Sequence, residues 1–328
     1  MRTKNIIALE ITSACASECV KCYRRKIWGR GAPMSDDLFD NVMDGLYKYN
    51  QDCSILLGTG EPILEAAKVF RLIEWSNKTN NSIHILTTGI PLIPKNIEIL
   101  ARAKNLTTQV TLDGFTEKDV ENVQRLKLLK VKENISQAAT KIKLIINYTL
   151  TNKNHQSLGD VITFAKKNRI RHIYVTPMMV YELCTDAKEF IPDLDSPLLL
   201  SSLEKAKKLA ADLDVKLSVG MGRAHPLTDA DELHNHCEKV GLLRPIVRID
   251  GKVSVCWGRE DVILGDLCLD KLEKLLTSDL LAAIRQKHAT GELSKFCDDC
   301  IVFKNSTLST MQIPRREPII SIHSMNVM

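Results

Sequence analysis

The sequence predicts an α/β fold built on a parallel sheet, followed by a smaller cysteine-bearing region. Short apolar, β-branched runs alternate with amphipathic Lys/Glu-rich stretches about six times before residue 212. Such alternation implies right-handed strand–helix–strand crossovers, with the helices outside the sheet. Beyond Gly220 the alternation stops, and Gly, Pro, His and Cys gather instead. At 328 residues, 44% hydrophobic and 26% charged, the chain is long enough for a well-buried core.

In chain order, a strand over Ile6–Ile11 is followed by a helix near Asp36–Tyr49. Ser54–Leu57 leads to a helix near Leu64–Trp75, and Ile83–Thr87 to one near Lys95–Lys104. Thr108–Leu112 precedes one long helix near Lys118–Lys132, and Lys143–Thr149 a helix near Leu158–Asn168. The sixth unit pairs Arg171–Val175 with Leu198–Ala211. After Gly220, Gly222 and Pro226, short strands at Pro245–Ile249 and Lys252–Cys256 flank Asp250-Gly251, a hairpin turn signal. A helix near Asp270–Gln286 then leads to Phe296-Cys297-Asp298-Asp299-Cys300. The expected organisation is 1–220, 221–303 and a weakly periodic tail over 304–328.

Composition narrows function. No apolar run approaches the roughly 18 residues of a membrane helix, and the first strand begins with no charged and apolar leader before it. Lys plus Arg is 45 against 40 Asp plus Glu, a net charge of +5 with both signs interleaved, and aromatics are 5%. Both facts argue against a nucleic-acid partner that stacks bases. Ten cysteines in a chain expected to be cytoplasmic point to metal, because disulfides do not persist there.

Cys15-Ala-Ser-Glu-Cys19-Val-Lys-Cys22 follows the first strand, at the sheet edge where loops converge. Three thiolates on one compact loop fit a [4Fe–4S] cube with one iron left open, whereas electron-transfer ferredoxins close all four. A partial zinc knuckle is the competing reading, although zinc sites favour two close pairs. Gly58-Thr59-Gly60-Glu61-Pro62 follows the second strand. Its glycines allow close backbone approach, and Glu61 supplies a carboxylate for a cationic amine. Alone it is an ordinary strand-to-helix turn.

Together these motifs resemble the radical S-adenosylmethionine (AdoMet) superfamily, whose signature is CX3CX2C after the first strand and a GGEP-like loop after the second. The resemblance covers about residues 5–220 and implies a partial (β/α)6 barrel. It implies that Cys15, Cys19 and Cys22 hold a [4Fe–4S] cluster whose open iron chelates AdoMet. Gly58, Thr59, Gly60 and Glu61 then meet the methionine end, and Tyr23 contacts adenine through its backbone. A flavodoxin or ferredoxin supplies the electron that cleaves AdoMet to a 5′-deoxyadenosyl radical, which abstracts hydrogen from substrate. Two departures stand out: Lys21 replaces the aromatic residue usual before the third cysteine, and Thr59 precedes Gly60 in place of glycine.

Thr111-Leu112-Asp113-Gly114 looks like the SLDG segment of sulfatase-maturing relatives, and with Asn147 and Thr149 it offers polar groups for ribose or substrate. Hydrogen-bonded turns are the alternative. Thr176-Pro177-Met178-Met179 follows the sixth strand and is positioned to pad adenine, or simply fills core.

Cys237-x18-Cys256-x40-Cys297-x2-Cys300 supplies four further thiolates. With Ile249-Asp250-Gly251 and Leu264-Gly265-Asp266 this resembles the Twitch domain, a shortened SPASM extension, and implies one auxiliary [4Fe–4S] cluster. Structural zinc is the alternative. His234 and His236 are possible ligands or a solvated pair. Cys53 reads as a buried small hydrophobe, and Cys184 and Cys268 stay unassigned. Arg223, His225, Arg259, Glu260 and Asp261 either line a substrate pocket or are surface charges.

The reading is therefore a radical AdoMet enzyme of oxidoreductase type. A sugar, cyclitol or nucleoside of a natural-product biosynthesis pathway is the first substrate class, because the chain starts at the first strand with no peptide-recognition domain before it. Peptide or protein side-chain maturation is the alternative. An iron–sulfur electron carrier would leave the Gly-Thr-Gly-Glu-Pro loop unexplained, and a zinc-dependent RNA-binding protein lacks a stacking motif.

Overall fold

The computed structural model describes residues 5–22, 24, 31–178, 184–219, 244–256 and 259–289. Among the described residues, ten strands form one sheet in the order β10-β9-β8-β1-β2-β3-β4-β5-β6-β7. Strands β1 (Asn5–Leu9), β2 (Cys53–Leu57), β3 (Ser82–Thr87), β4 (Leu106–Thr111), β5 (Leu144–Leu150), β6 (His172–Pro177) and β7 (Lys216–Val219) are consecutive parallel neighbours. A doubly wound sheet would reverse its order at a switch point. From β1 to β7 the order never reverses, so each of these crossovers adds its helix on the same side, which is the winding of a partial barrel.

Alternation along the strands shows which face the helices cover. In β3 the residues Ile83, Ile85 and Thr87 are buried, while Ser82, His84 and Leu86 are half-buried. In β4 and β5, Val110 and Ile146 are buried, while Gln109, Thr111, Ile145 and Asn147 are half-buried. The buried set belongs to the main core, together with Phe39, Leu46, Leu72 and Trp75. The opposite face is the inner, polar one.

Helix α1 (Asp36–Lys48) starts where Ser35 Oγ accepts the Leu38 N–H, with Asp36 and Asp37 in its first turn and Lys48 in its last. It packs beside α2 (Ala66–Thr79), whose Trp75 is wholly buried and donates its indole N–H to Leu46 O at 3.3 Å. Helix α3 (Pro94–Leu100) covers the next crossover. The single helix expected over 118–132 is two: α4 (Glu117–Gln124) and α5 (Leu128–Ala138). Arg125 turns left-handed at φ 53° to end α4. The Glu117 carboxylate then caps α5, accepting the Leu128 and Leu129 N–H groups at 3.1 and 3.2 Å. Helices α6 (Leu158–Lys167) and α7 (Pro197–Asp212) complete the barrel units.

The hairpin expected around Asp250-Gly251 forms, with Gly251 at φ +85°. Strand β8 (Ile246–Val247) pairs parallel to β1, and β9 (Lys252–Cys256) pairs antiparallel to β8. Strand β10 (Arg259–Asp266), not foreseen from the sequence, forms the outer edge. These strands extend the main sheet. The helix expected near 270–286 is also divided, into α8 (Leu272–Leu276) and α9 (Asp279–Ala289), because Ser278 Oγ accepts the Leu281 N–H and caps α9. Among the described residues no helix is long and apolar enough to cross a membrane.

Among the described residues Trp75 is the largest fully buried side chain. Replacing it with alanine is expected to cost about 3–5 kcal/mol, read as a lower urea midpoint by circular dichroism.

Candidate functional site

The loops that follow β1, β2, β3, β4 and β5 meet at one edge of the sheet. The chain leaving β1 is held there from two sides. On one side, Thr12 bridges Pro33, Met34 N–H donates to Ile11 O at 2.9 Å, and Ser13 N–H to Ala32 O at 3.0 Å. On the other, Glu61 N–H donates to Ala14 O at 2.7 Å. Gly31 and Gly60 face this segment with φ +77° and +63°. A Cβ at Gly31 would lie 2.4 Å from the Ser13 carbonyl carbon, and one at Gly60 would lie 2.6 Å from Thr12 O. The glycine of the Gly-Thr-Gly-Glu-Pro turn therefore accommodates the cysteine loop's backbone. Gly58 is less constrained: its Cβ would meet Leu86 Cδ1, a side-chain end, at 2.8 Å.

Cys15, Cys19 and Cys22 lie half-buried on this loop. Burial pushes the Cys15 thiol up to about 12, reinforced by the Glu61 carboxylate and by Cys19 and Cys22. Burial also raises Cys19, against the pull of the Lys21 ammonium. Such thiols ionise when a cation neutralises them. Among the described residues, no three His, Cys, Asp or Glu side chains converge as a single metal ion requires. A cube takes one thiolate per iron and so suits a looser triad, and with three cysteines on one loop the donor set fits it.

Ser17 fastens the loop. Its N–H points to Cys15 Sγ at 3.4 Å, and its hydroxyl lies 2.9 Å from Cys19 Sγ and donates to Gln124 O at 2.5 Å. Val20 N–H donates to Val123 O at 3.0 Å, so the loop seats on the C-terminus of α4. Gln124 is itself buried: its Oε1 accepts the Asp113 N–H at 3.1 Å and its Nε2 donates to Thr111 O at 3.3 Å. Neither Ser17 nor Gln124 was singled out from the sequence. A polar residue inside the cysteine loop was the available signal for Ser17, whereas nothing in the local pattern marks Gln124, whose partners Ser17, Thr111 and Asp113 are brought to it by the fold.

Asp113 is fully buried. Its carboxylate accepts the Thr149 N–H at 2.8 Å and pairs with Lys21 Nζ at 2.7 Å, while Lys21 also donates to Thr149 Oγ1. Asn154, another unforeseen member, donates from Nδ2 to Asp113 O and Thr149 O at 2.9 and 2.8 Å. Asn147 is half-buried on the inner face, and its Oδ1 accepts from Gln109 Nε2 at 3.0 Å. His84 lies half-buried on the same face, and burial keeps its imidazole below its usual range, with Gln109 opposing that shift. Thr111 lies beside Asn147 in register.

Glu61 is buried completely. Its Oε2 accepts the Thr88 N–H at 2.8 Å and hydroxyl at 2.6 Å, while its Oε1 is buried without a hydrogen bond. Burial raises its pKa, partly countered by Thr88. Thr59 turns away from Glu61 and donates to Glu10 Oε1 at 3.0 Å. Glu10, the buried residue after β1, pairs with Arg24 at 2.5 Å, and Arg24 pairs with Glu260 of β10 at 2.5 Å. Glu260, read as a pocket group or a surface charge, is thus tied to the loop that contains Thr59.

Met178 is fully buried in an apolar cluster with Val20, Val123, Cys184 and Phe190. Cys53 is buried in the main core, and Cys268 is exposed after β10. Cys256 is buried at the end of β9. Tyr23, Met179, Arg223, His225, His234, His236, Cys237, Cys297 and Cys300 lie outside the described residues, as does the 304–328 tail. A groove of about 640 Å³ between α5 and α6 is lined by Phe115, Lys132 and Phe164.

Residues 9–173 match the family model of the Radical SAM superfamily. No curated protein matches the chain. The fold is similar to that of Streptococcus suis SuiB bound to S-adenosylmethionine, with TM-score 0.68, 15% identity, and coverage of 91% of this chain and 71% of that one. SuiB bound to precursor peptide SuiA gives 0.64 and 15%, covering 96% and 76%. Native anSMEcpe with bound AdoMet gives 0.60 and 14%, covering 93% and 88%. At such identities the likeness is one of fold.

Two outcomes are expected from this geometry. Gly60→Ala should cost about 3 kcal/mol, from left-handed strain plus the backbone clash, and Gly58→Ala about 1 kcal/mol; urea midpoints separate them. Because burial raises the Glu61 carboxyl, its favourable contribution is full below the ordinary value of 4.5 and is lost as pH rises through the folded value. Glu61→Gln should therefore match the parent's stability near pH 4 and exceed it at neutral pH.

Proposed function

This chain belongs to the Radical SAM superfamily, and on that premise we propose that it abstracts a hydrogen atom from a peptide side chain. The carrying observation is the cysteine triad docked beside Glu61, a buried carboxylate with one oxygen lacking a hydrogen bond. When bound, a [4Fe–4S] cluster and AdoMet supply one electron and a 5′-deoxyadenosyl radical, which takes the substrate hydrogen. Cys15, Cys19 and Cys22 hold the cluster. Glu61 Oε1 would accept from the AdoMet amine, which would relieve the cost of leaving that oxygen buried and unpaired. Gly58, Thr59 and Gly60 shape this wall, with Thr59 anchored to Glu10. Asp113 and Thr149 orient polar groups opposite, next to Thr111 and Asn147. Tyr23 would meet the adenine through its backbone, and the apolar packing around Val20 and Met178 would keep water from a reactive intermediate.

The peptide reading is supported by the fold shared with SuiB, which has been captured with precursor peptide SuiA. A second reading, oxidation of a sugar, cyclitol or nucleoside, is favoured by the polar inner face of His84, Gln109, Thr111 and Asn147, which suits a hydroxyl-rich molecule. Cys237, Cys256, Cys297 and Cys300 would hold an auxiliary [4Fe–4S] cluster of Twitch type, which would supply a one-electron acceptor for a net oxidation. The reductant is a cytoplasmic flavodoxin or ferredoxin.

Anaerobically reconstituted, dithionite-reduced protein should form 5′-deoxyadenosine from AdoMet, and Cys15→Ala should form none. Product from that variant would refute the assignment. Deuterated peptides or polyols that pass their label into 5′-deoxyadenosine decide between the two substrate classes. Iron analysis should give about eight per chain for two clusters and about four in Cys256→Ser. Glu61→Gln should bind AdoMet at least tenfold more weakly, the loss of one charge-assisted hydrogen bond.

A further inference from the structure

Between Cys19 and Cys22 the loop carries Val20 and Lys21. The two side chains have opposite fates. Val20 packs into the apolar cluster of Val123, Met178, Cys184 and Phe190. Lys21 reaches the ends of β4 and β5, where Nζ pairs with Asp113 Oδ2 at 2.7 Å and donates to Thr149 Oγ1. Asp113 is held from three directions besides Lys21: its Oδ1 accepts the Thr149 N–H, its N–H donates to Gln124 Oε1, and its carbonyl accepts from Asn154 Nδ2. A carboxylate so fixed dictates where the ammonium rests. Side-chain exposures of 22% for Lys21 and 0% for Asp113 leave the pair only weakly screened by water.

Lys21 lies two residues after Cys19 and directly before Cys22, so its ion pair with Asp113 sits beside the thiols that would hold the cluster. A one-electron reduction adds negative charge at the same place, and a cluster's potential follows the net charge and hydrogen bonding around its sulfurs. An aromatic residue, the one usual at this position, brings no charge.

We infer that Lys21 is a positioning residue which makes the cluster held by Cys15, Cys19 and Cys22 easier to reduce, with Asp113 fixing the ammonium in place and offsetting part of its field. The inference rests on the proposed cluster and extends it to redox tuning by this chain's own ion pair. The electron comes from a low-potential one-electron donor, and no bond forms or breaks in the step.

The test is an EPR-monitored redox titration of the reconstituted full chain with dithionite, following the signal absent from Cys15→Ala. Lys21→Met should shift the midpoint to more negative potential and Asp113→Asn to more positive potential. Lys21→Arg, which keeps the charge, should stay near the parent. Iron content and circular dichroism of each variant report whether the cluster and fold are intact. A purely structural role would move both midpoints the same way, or neither, and either result at unchanged iron content overturns the inference. If Lys21→Met loses its iron, the signs given by Asp113→Asn and Lys21→Arg decide it. A parent chain without any Cys15-dependent signal defeats the proposed cluster itself, which is seen before any Lys21 variant is made.

Discussion

The backbone of residues 12–14 passes between two glycines that have no room for a Cβ. Gly31 and Gly60 press on it from opposite sides in left-handed conformations, and the Glu61 N–H bonds its carbonyl at Ala14. Fixing this segment sets where the chain departs from β1, and so where Cys15, Cys19 and Cys22 can sit. It also couples two motifs that are 46 residues apart by the numbering of Cys15 and Glu61. A side chain at either glycine would separate the cysteine loop from the carboxylate beside it.

Two polar networks extend from that clamp. One runs from Ser17 through Gln124 to Asp113, Lys21 and Thr149, joining the cysteine loop to α4, β4 and β5. The other runs from Thr59 through Glu10 and Arg24 to Glu260, joining the β2 turn to β10. Asp113, Glu10 and Arg24 are buried, Lys21 and Glu260 are partly so, and each is paired, as burial of charge requires. Removing one member leaves its partner uncompensated, which is costlier than the pair is favourable. The networks therefore define loop positions more than they add stability.

Much of the sheet was legible because a parallel strand buried under helices is a short apolar run bounded by turns. Ile83–Thr87 and Lys252–Cys256 were read almost to the residue. The 118–132 stretch was read as one helix because amphipathic periodicity continues across Arg125. What divides it is the Glu117 carboxylate capping α5, a contact invisible to periodicity. Strand β7 is short and half-exposed, and β10 opens on Arg259-Glu260-Asp261 and keeps only the short apolar run Val262-Ile263-Leu264, so neither shows a full strand's apolar signature. In the site, the cysteines and Glu61 stand in recognisable spacings. Gln124, Asn154 and Glu10 do not, since their partners are distant in sequence.

By itself the sequence determined the strand–helix alternation, the cysteine spacing and the presence of a glycine-rich turn with a carboxylate, because these depend on local residue type and order. Tertiary structure alone decided that Gly60 makes room for the cysteine loop's backbone, that Thr59 bonds Glu10, and that Lys21 meets Asp113 across the sheet edge. It also decided that β8 lies beside β1, so the late hairpin continues the first sheet. These are outcomes of long-range packing, in which a residue's role is set by whichever distant group the folded chain brings within hydrogen-bonding or steric reach.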